Sequence, residues 1–158
     1  MNSVHQYAEV GLVAIENDWR LAAQFASSVD ARNEAQGGGF YASSGAAQLI
    51  DCLVTGNVAQ DGGGVLVEGT ASAILSGCTV AGNRATNEGG GVRAGGSGAT
   101  VSRTILWGNC AADGAEIYAA TAGTSADLTC SSIDLRGVGG TGSVSYDANT
   151  IFTVANVL

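Results

Sequence analysis

The chain has 158 residues, of which 46% are hydrophobic and 13% are charged, a balance that suits one folded domain and excludes a disordered tail. Six basic residues against fourteen acidic ones give a net charge of −8, which argues against a nucleic-acid partner because phosphate groups would be repelled. No apolar run approaches the roughly 18 residues that a membrane span needs, and no signal peptide is recognisable at the N-terminus.

Residues 1–36 are expected to form either an N-terminal cap or a degenerate first coil of the repeat that follows. Leu12, Ile15 and Trp19 share one face of a helix, and the alanine-rich stretch AAQFA favours a short capping helix. The alternative is a degenerate coil, because residues 33–35 (NEA) repeat the Asn-x-Ala pattern of the later coils. Both interpretations stay open from the sequence.

A repeat of about 26 residues begins at Gly37. The dipeptide Gly-Asn recurs at intervals of 26 residues, with its asparagine at Asn57, Asn83 and Asn109. A glycine-rich corner recurs at intervals of 25, 27 and 25 residues, at Gly37, Gly62, Gly89 and Gly114. A fixed period of this length indicates stacked copies of one structural unit.

Short alternating runs rich in β-branched residues separate the corners, for example SAILSGCTVAG from Ser72 and ATVSRTILWG from Ala99. They predict strands of about three to five residues, and no unit shows a helical period. Winding each unit once around a coil stacks equivalent strands roughly 4.8 Å apart as parallel sheets. The sequence therefore predicts an all-β fold, a right-handed parallel β-helix of about four to five coils over residues 37–158, ending in a C-terminal cap.

Equivalent positions in the repeat predict rows of stacked side chains. The three repeated asparagines should form an amide ladder that satisfies their own polar atoms and the backbone of the turn. Cys52 and Cys78 each stand five residues before an asparagine and should point inward as reduced thiols, with Thr104 continuing the row. The same register predicts an inward row that includes Val54, Val80, Leu106 and Ile133.

The alternation of Gly-Gly-Gly-Val with Val-x-Gly-Asn-x-Ala from Gly37 onward resembles the repeat of polymorphic outer-membrane proteins and related bacterial β-helix surface proteins. TILWGNCAADGAEIY (Thr104–Tyr118), CSSIDLRG from Cys130 and YDANTIF (Tyr146–Phe152) are similar to the C-terminal coils of pectin-lyase-like, choice-of-anchor β-helix proteins. The resemblance implies a secreted or cell-surface location. It implies no particular activity, since this superfamily includes lyases, hydrolases and adhesins.

An acidic column is the sharpest functional feature of the repeat. Asp61, Glu88 and Asp113 each precede the glycine corner of their coil, and Arg84 and Arg93 are nearby cations that could help them bind a ligand. Stacked carboxylates repel one another unless a cation bridges them, so weak calcium binding is one interpretation. The favoured interpretation is a solvated acidic corner that keeps the molecule soluble.

Conventional catalytic and metal sites are not expected. The only histidine, His5, has no recognisable partner, and the four cysteines, Cys52, Cys78, Cys110 and Cys130, lack the CxxC spacing of a zinc site. Trp107 and Tyr118 are interpreted as core or edge-covering aromatics, with stacking on a sugar ring as the alternative. We therefore expect no cofactor, and no metal apart from the calcium alternative.

These features favour a non-catalytic surface or binding module that contacts a glycan or a protein through one lateral face, either alone or as a fragment of a longer secreted protein. The alternative is a carbohydrate-active enzyme, a polysaccharide hydrolase or lyase with its acids on that face. The apolar tail IFTVANVL from Ile151 should fold back over the last coil or mediate a homodimer through an open end of the solenoid.

Overall fold

The computed structural model describes residues 3–7, 12–16, 19–21, 37–121, 125–129, 131–134, 137–146 and 148–153. These ranges contain no α-helix, and therefore no helix long and apolar enough to cross a membrane. Their strands, in chain order, are β1 Ser3–Tyr7, β2 Leu12–Glu16, β3 Trp19–Leu21, β4 Phe40–Ala42, β5 Ala46–Ile50, β6 Leu53–Thr55, β7 Val58–Ala59, β8 Val65–Val67, β9 Ser72–Ser76, β10 Thr79–Ala81, β11 Arg84–Ala85, β12 Val92–Ala94, β13 Ala99–Ser102, β14 Ile105–Trp107, β15 Ile117–Ala119, β16 Ser125–Thr129, β17 Ser132–Asp134, β18 Val138–Gly140, β19 Ser143–Tyr146 and β20 Ile151–Thr153.

Consecutive strands of the chain belong to different sheets, and each sheet is built from successive coils. The first sheet has the order β1-β2-β4-β8-β12-β15-β18, the second β3-β5-β9-β13-β16-β19, and the third β6-β10-β14-β17-β20, while β7 and β11 form a short fourth sheet. Apart from the antiparallel pair β1–β2, the strand pairs are parallel. Between residues 37 and 113 the chain makes about three turns, so the predicted parallel β-helix is confirmed.

Strands, not a helix, occupy the described part of the N-terminal segment. β2 pairs in parallel with β4, with Val13 opposite Phe40, and β3 pairs with β5, with Trp19 opposite Ala47. The capping helix proposed for Leu12 to Trp19 is therefore wrong. An edge strand presents unpaired N–H and C=O groups, and pairing with them outweighs a local helical pattern. Residues 33–35 and the AAQFA stretch lie outside the described residues.

The core consists of columns of apolar side chains that run along the solenoid. Each large sheet contributes one column of larger side chains, and the first and second sheets each add a column of smaller ones, such as Ala42, Val67 and Ala94 in the first. The residues in each column are paired across adjacent strands and buried. They recur at every second position of a strand, because successive side chains of a strand point to opposite faces of the sheet and every second one points inward. The columns of larger side chains are Phe40, Val65, Val92 and Ile117 in the first sheet, Leu49, Leu75, Val101 and Leu128 in the second, and the predicted Val54, Val80, Leu106 and Ile133 in the third.

The glycine corners allow successive coils to approach closely. A Cβ atom on Gly63 would lie 2.5 Å from the carbonyl oxygen of Gly90 in the next coil, and one on Gly90 would lie 2.5 Å from the carbonyl oxygen of Ala115. Gly89 has a φ of +65°, and a Cβ there would lie 2.7 Å from the Cβ of Arg93. These positions have no room for a side chain. Because the corners stack closely, the residues that precede them, Asp61, Glu88 and Asp113, occupy equivalent positions in successive coils.

The first part of the C-terminal tail joins the last coil. β20 pairs in parallel with β17, with Phe152 opposite Ile133, and so forms one edge of the third sheet. Residues 154–158 lie outside the described residues. The homodimer through an open end of the solenoid stays a prediction.

Candidate functional site

The asparagine repeat forms a buried hydrogen-bonded ladder inside one turn of the coil. Oδ1 of Asn83 accepts from the backbone N and the Nδ2 of Asn57 at 3.0 and 2.9 Å. Nδ2 of Asn83 donates to Oδ1 of Asn109 at 3.0 Å and to the carbonyl oxygen of Val54 at 2.9 Å. Each asparagine therefore satisfies backbone groups as well as its neighbours, which makes the ladder a structural feature.

Glu116 lies at the end of this ladder and was not identified from the sequence. It occupies the third position of the glycine corner, where the two preceding coils have Gly64 and Gly91. Its buried carboxyl group accepts hydrogen bonds from the backbone N of Asn109 at 3.2 Å and from the Nδ2 of the same residue. The available signal was the change from GGGV to GAEI in the fourth corner. A carboxyl group thus takes the place that a further asparagine would fill.

A second buried column uses thiol and hydroxyl groups where the asparagine ladder uses amides. It consists of Cys52, Cys78, Thr104 and Ser131. The backbone N of Cys78 donates to Oγ1 of Thr104 at 3.2 Å, and the backbone N of Thr104 donates to Oγ of Ser131 at 3.3 Å. Each of the four side chains also donates to the carbonyl oxygen two residues earlier. Burial raises the pKa of the Cys78 thiol, and the backbone N–H of Cys52 partly opposes that rise.

Backbone hydrogen bonds join the corners that contain the three predicted acidic residues in successive coils. The amide N of Gly62 donates to the carbonyl of Glu88 at 2.9 Å, and that of Gly89 donates to the carbonyl of Asp113 at 3.0 Å. The same pattern links Asp61 to the preceding coil, since its carbonyl accepts from Gly37 at 3.0 Å. The three acids therefore follow one another along a single edge of the solenoid.

The side chain of Glu88 at this corner is engaged with its neighbours. Oε2 of Glu88 accepts a hydrogen bond of 2.8 Å from Nε of Arg93, whose guanidinium carbon lies 5.9 Å from the ring centroid of Tyr118. A hydrogen bond to Glu88 and burial raise the pKa of the Tyr118 hydroxyl. Within the described residues, no three His, Cys, Asp or Glu side chains converge to hold a metal ion. The corner therefore offers an ion-paired cluster and gives the calcium alternative no support.

Arg84 does not join this cluster. It lies in β11, paired with Val58 in the short fourth sheet, and its side chain is exposed. Arg93 by contrast projects outward from β12, beside Glu88. The two arginines thus belong to different sheets of the solenoid, and only Arg93 meets the acidic corner.

Part of the outer face of the third sheet, on β6, β10 and β14, carries an apolar surface without an ionisable residue, and by register the row of Trp107 continues on β17 at Asp134. We call it the third-sheet face and define it by the outward residues of β6, β10 and β14. Leu53, Ile105 and Trp107 are 40%, 47% and 41% exposed, values high for such large apolar side chains. Stacking is in register, so the face consists of two short rows, Leu53, Thr79 and Ile105 in one and Thr55, Ala81 and Trp107 in the other.

Trp107 is therefore not a core residue, although that interpretation was favoured. Leu106 points inward and is fully buried, and its two neighbours Ile105 and Trp107 must point outward because the side-chain period of a strand is two. Tyr118, the other aromatic residue of this part of the chain, is almost fully buried beside Glu88. Only Trp107 of this pair is placed to meet a ligand.

The two borders of the third-sheet face differ. Gly56, Gly82 and Gly108 follow the Trp107 row, and a Cβ atom on any of them would meet nothing within 4 Å, so this border is open. On the opposite border lie exposed Asp51 and Arg103, which have opposite charges. Arg103 donates a hydrogen bond of 2.8 Å to Ser76. The face is therefore bordered by an open glycine ledge on one side and by a polar rim of no net charge on the other.

Comparison of the chain with protein-family models, with curated proteins and with solved structures found no match. The assignment of a parallel β-helix therefore rests on the strand pairing described above.

Proposed function

We propose that this chain is a non-catalytic binding module that contacts its partner through the third-sheet face. The observation that carries the proposal is the clustering of three exposed large apolar side chains, Leu53, Ile105 and Trp107, on β6 and β14 of one sheet. Apolar residues that cluster in this way are typical of contact surfaces, whereas isolated ones are common everywhere on proteins.

The resemblance of the repeat to polymorphic outer-membrane proteins and to pectin-lyase-like β-helix proteins supports a place for this module in a secreted or cell-surface protein. A solenoid suits that role because its lateral faces are extended and regular. The family and the location are parts of the proposal.

The alternative function, a polysaccharide hydrolase or lyase, gains no comparable support from the described residues. Hydrolysis by paired carboxylates needs two carboxyl groups that face each other across a substrate, one of them protonated. Glu88, at the middle of the acidic column, is instead paired with Arg93 and hydrogen-bonded by Tyr118. The carboxyl group of Glu88 is thus engaged in holding the corner together.

A glycan array combined with a reducing-sugar assay on neutral and acidic polysaccharides tests the proposal. We expect retention of one or more glycans without release of reducing ends. Release of reducing ends, or of unsaturated products, that is abolished in Glu88→Gln would show an enzyme and contradict the proposal. Thr100→Ala, an exposed change on the second sheet, is the control for substitution itself.

A further inference from the structure

We infer that Glu116 is a terminator, a residue whose carboxyl group ends the asparagine ladder and makes Asn109 its last rung. This role does not depend on the proposed binding function. Three observations support it: the direction of the ladder, the hydrogen bonds at its end, and a space that either an asparagine or a corner side chain can fill.

The asparagine ladder has a direction. Oδ1 of Asn83 accepts from the backbone N and the Nδ2 of Asn57, and Oδ1 of Asn109 accepts the same two bonds from Asn83 at 2.9 and 3.0 Å. Each asparagine therefore donates to the next coil and needs an acceptor there. The last asparagine of such a ladder needs an acceptor that is not another amide, because a further amide would pass the same requirement on to the next coil.

Glu116 supplies that acceptor to Asn109. One carboxyl oxygen, Oε1, accepts from the backbone N of Asn109 at 3.2 Å, and the other, Oε2, accepts from its Nδ2. The two donors that share one amide oxygen at each earlier rung thus have an oxygen each. An ionised carboxyl group contains acceptors only, so it receives both bonds without adding a donor that needs a further rung. Glu116 is only 3% exposed, so these bonds are shielded from water.

In the first three coils the asparagine fills the space beside the third corner position. A Cβ atom at that position would lie 2.7, 3.0 and 2.8 Å from the Nδ2 of the asparagine in the same coil, and 2.8, 2.5 and 2.5 Å from a carbonyl oxygen of the next coil. The corner residues are Gly39, Gly64 and Gly91, and the asparagines are Asn57, Asn83 and Asn109. A ladder asparagine and a corner side chain therefore exclude each other.

The fourth coil differs from the others at both of these places. In the sequence, Arg136 follows the end of β17 at the distance at which Asn109 follows the end of β14, so the repeat has no fourth asparagine. The chain that passes next to Glu116 has Gly137, where a Cβ atom would lie 2.3 Å from the Cγ of Glu116. The side chain of Glu116 thus has the room that the earlier corners lack.

Urea unfolding of matched variants tests the terminator role. Glu116→Gln keeps the size of the side chain but replaces one acceptor by a donor. It should raise the equilibrium constant of unfolding about tenfold or more, because a buried N–H group is left without an acceptor. Asp113→Asn is the matched control: it removes the same formal charge three residues earlier, at an exposed position, and should leave unfolding unchanged. Added sulfate favours the folded state and keeps weakened variants measurable.

Two further measurements connect the effect of Glu116→Gln to Asn109. In the background of Asn109→Ala, which has already lost the side-chain donor, Glu116→Gln should raise the equilibrium constant of unfolding by a smaller factor than in the unchanged chain. In Glu116→Gln itself, hydrogen exchange of the Asn109 backbone amide should accelerate more than that of Asn57, which lies two rungs away.

The terminator role would be overturned by unchanged unfolding in Glu116→Gln, since the side chain would then act only by its volume. An equal loss of stability in Asp113→Asn would overturn it too, because charge alone would account for the effect. An equal factor in both backgrounds, or exchange at Asn109 that accelerates no more than at Asn57, would show that Glu116 acts without Asn109 and would likewise contradict the role.

Discussion

Single residues inside this solenoid are held by hydrogen bonds to the coils above and below them. Asn83 is the best example, since its amide group bonds to Asn57, Asn109 and the carbonyl of Val54, and all of these groups are buried from water. A buried polar group that loses its partner destabilises the protein far more than an average hydrogen bond stabilises it. The middle of the ladder should therefore be its most sensitive position.

We predict that Asn83→Ala lowers the free energy of unfolding by about 2–4 kcal/mol, because each buried group that it leaves without a partner costs about 1–3 kcal/mol. Asn87→Ala is the matched control: it is the same substitution in the same coil, at an exposed position, and it should change stability by less than about 0.5 kcal/mol. Urea unfolding of both variants measures the difference. Equal effects of the two substitutions would contradict a structural role for the ladder.

The second buried column leads to a prediction about Cys78. Thr104 holds the equivalent position one coil further on and makes the same kind of hydrogen bonds, so Cys78→Thr should be tolerated to within about 1 kcal/mol. Cys78→Val has nearly the same shape but cannot accept the hydrogen bond from the backbone N–H of Cys52. We expect valine to be less stable than threonine by about 1–2 kcal/mol in urea unfolding. Valine as stable as threonine would show that the thiol acts only by its volume.

The sequence is informative about residues wherever a property repeats. The asparagines could be placed on one turn because they recur every 26 residues, and the alternation that puts Leu106 inside also puts Trp107 outside, although its size favours burial. Glu116 could not be placed, because its role depends on the space that glycine leaves in the other corners. The pairing of Glu88 with Arg93 was likewise invisible, since it depends on how the corner folds between them.

Among the elements, the glycine corner determines how closely two coils can stack. Gly63 tests that role because it does not have a positive φ, so that only close contacts with backbone oppose a side chain there: a new Cβ would lie 2.5 Å from the carbonyl oxygen of Gly90 and 2.6 Å from the carbonyl group of Arg84. Gly82 is the complement, since its φ is +64° but a Cβ would meet nothing within 4 Å. The two glycines separate the steric from the conformational reason for glycine.

We predict that Gly63→Ala destabilises the protein by about 3 kcal/mol or more, since backbone cannot yield as a flexible side chain can. Gly82→Ala should cost only about 1–2 kcal/mol, the strain of a left-handed conformation, and Gly82→Asn less, because asparagine tolerates that conformation. Urea unfolding at neutral pH measures all three variants. A smaller loss for Gly63→Ala than for Gly82→Ala would show that the coils can separate at the corner.

The N-terminal elements show where prediction by local pattern fails. The spacing of Leu12, Ile15 and Trp19 fits a helix, but the same stretch contains the β-branched residues Val13 and Ile15. It also pairs with the edge of β4 that would otherwise be without a partner strand. A repeat period identifies a solenoid because residues one period apart stack on each other in adjacent coils. A segment that has lost the period retains only its local propensity, and the contact with its neighbour decides its structure.

At the scale of the whole molecule, three groups among the described residues make stability depend on alkaline pH. Burial raises the pKa of the Cys78 thiol above its ordinary value of 9.0, and burial together with a hydrogen bond to Glu68 and the charge of Glu68 raises the pKa of Tyr41 above 10.0. The pKa of Tyr118 is raised above 10.0 as well, first by its hydrogen bond to Glu88. All three groups keep their protons in the folded state at a pH where the unfolded chain has begun to lose them.

The sign of the effect follows from proton binding. Above pH 9 the unfolded chain binds fewer protons than the folded one, so the free energy of unfolding must fall as the pH rises. The stabilisation that these groups provide is complete below their ordinary pKa values and is lost as the pH passes their raised ones. We predict little change in stability between pH 7 and about 8.5, and then a decline that one group can steepen by at most about 1.4 kcal/mol per pH unit.

Urea unfolding with a reducing agent present, at pH 7, 8.5, 9.5 and 10.5, measures the decline, and the variant Cys78→Thr assigns part of it. Threonine keeps the hydrogen bonds of the column but has no proton to lose in this range, so its stability should fall less steeply between pH 8.5 and 9.5 than that of the unchanged chain. The decline should be reduced and not abolished in this variant, because it still contains Tyr41 and Tyr118. Identical slopes throughout would show that the Cys78 thiol ionises alike in the folded and unfolded chains, and a rise in stability above pH 9 would contradict the protonated state of all three groups.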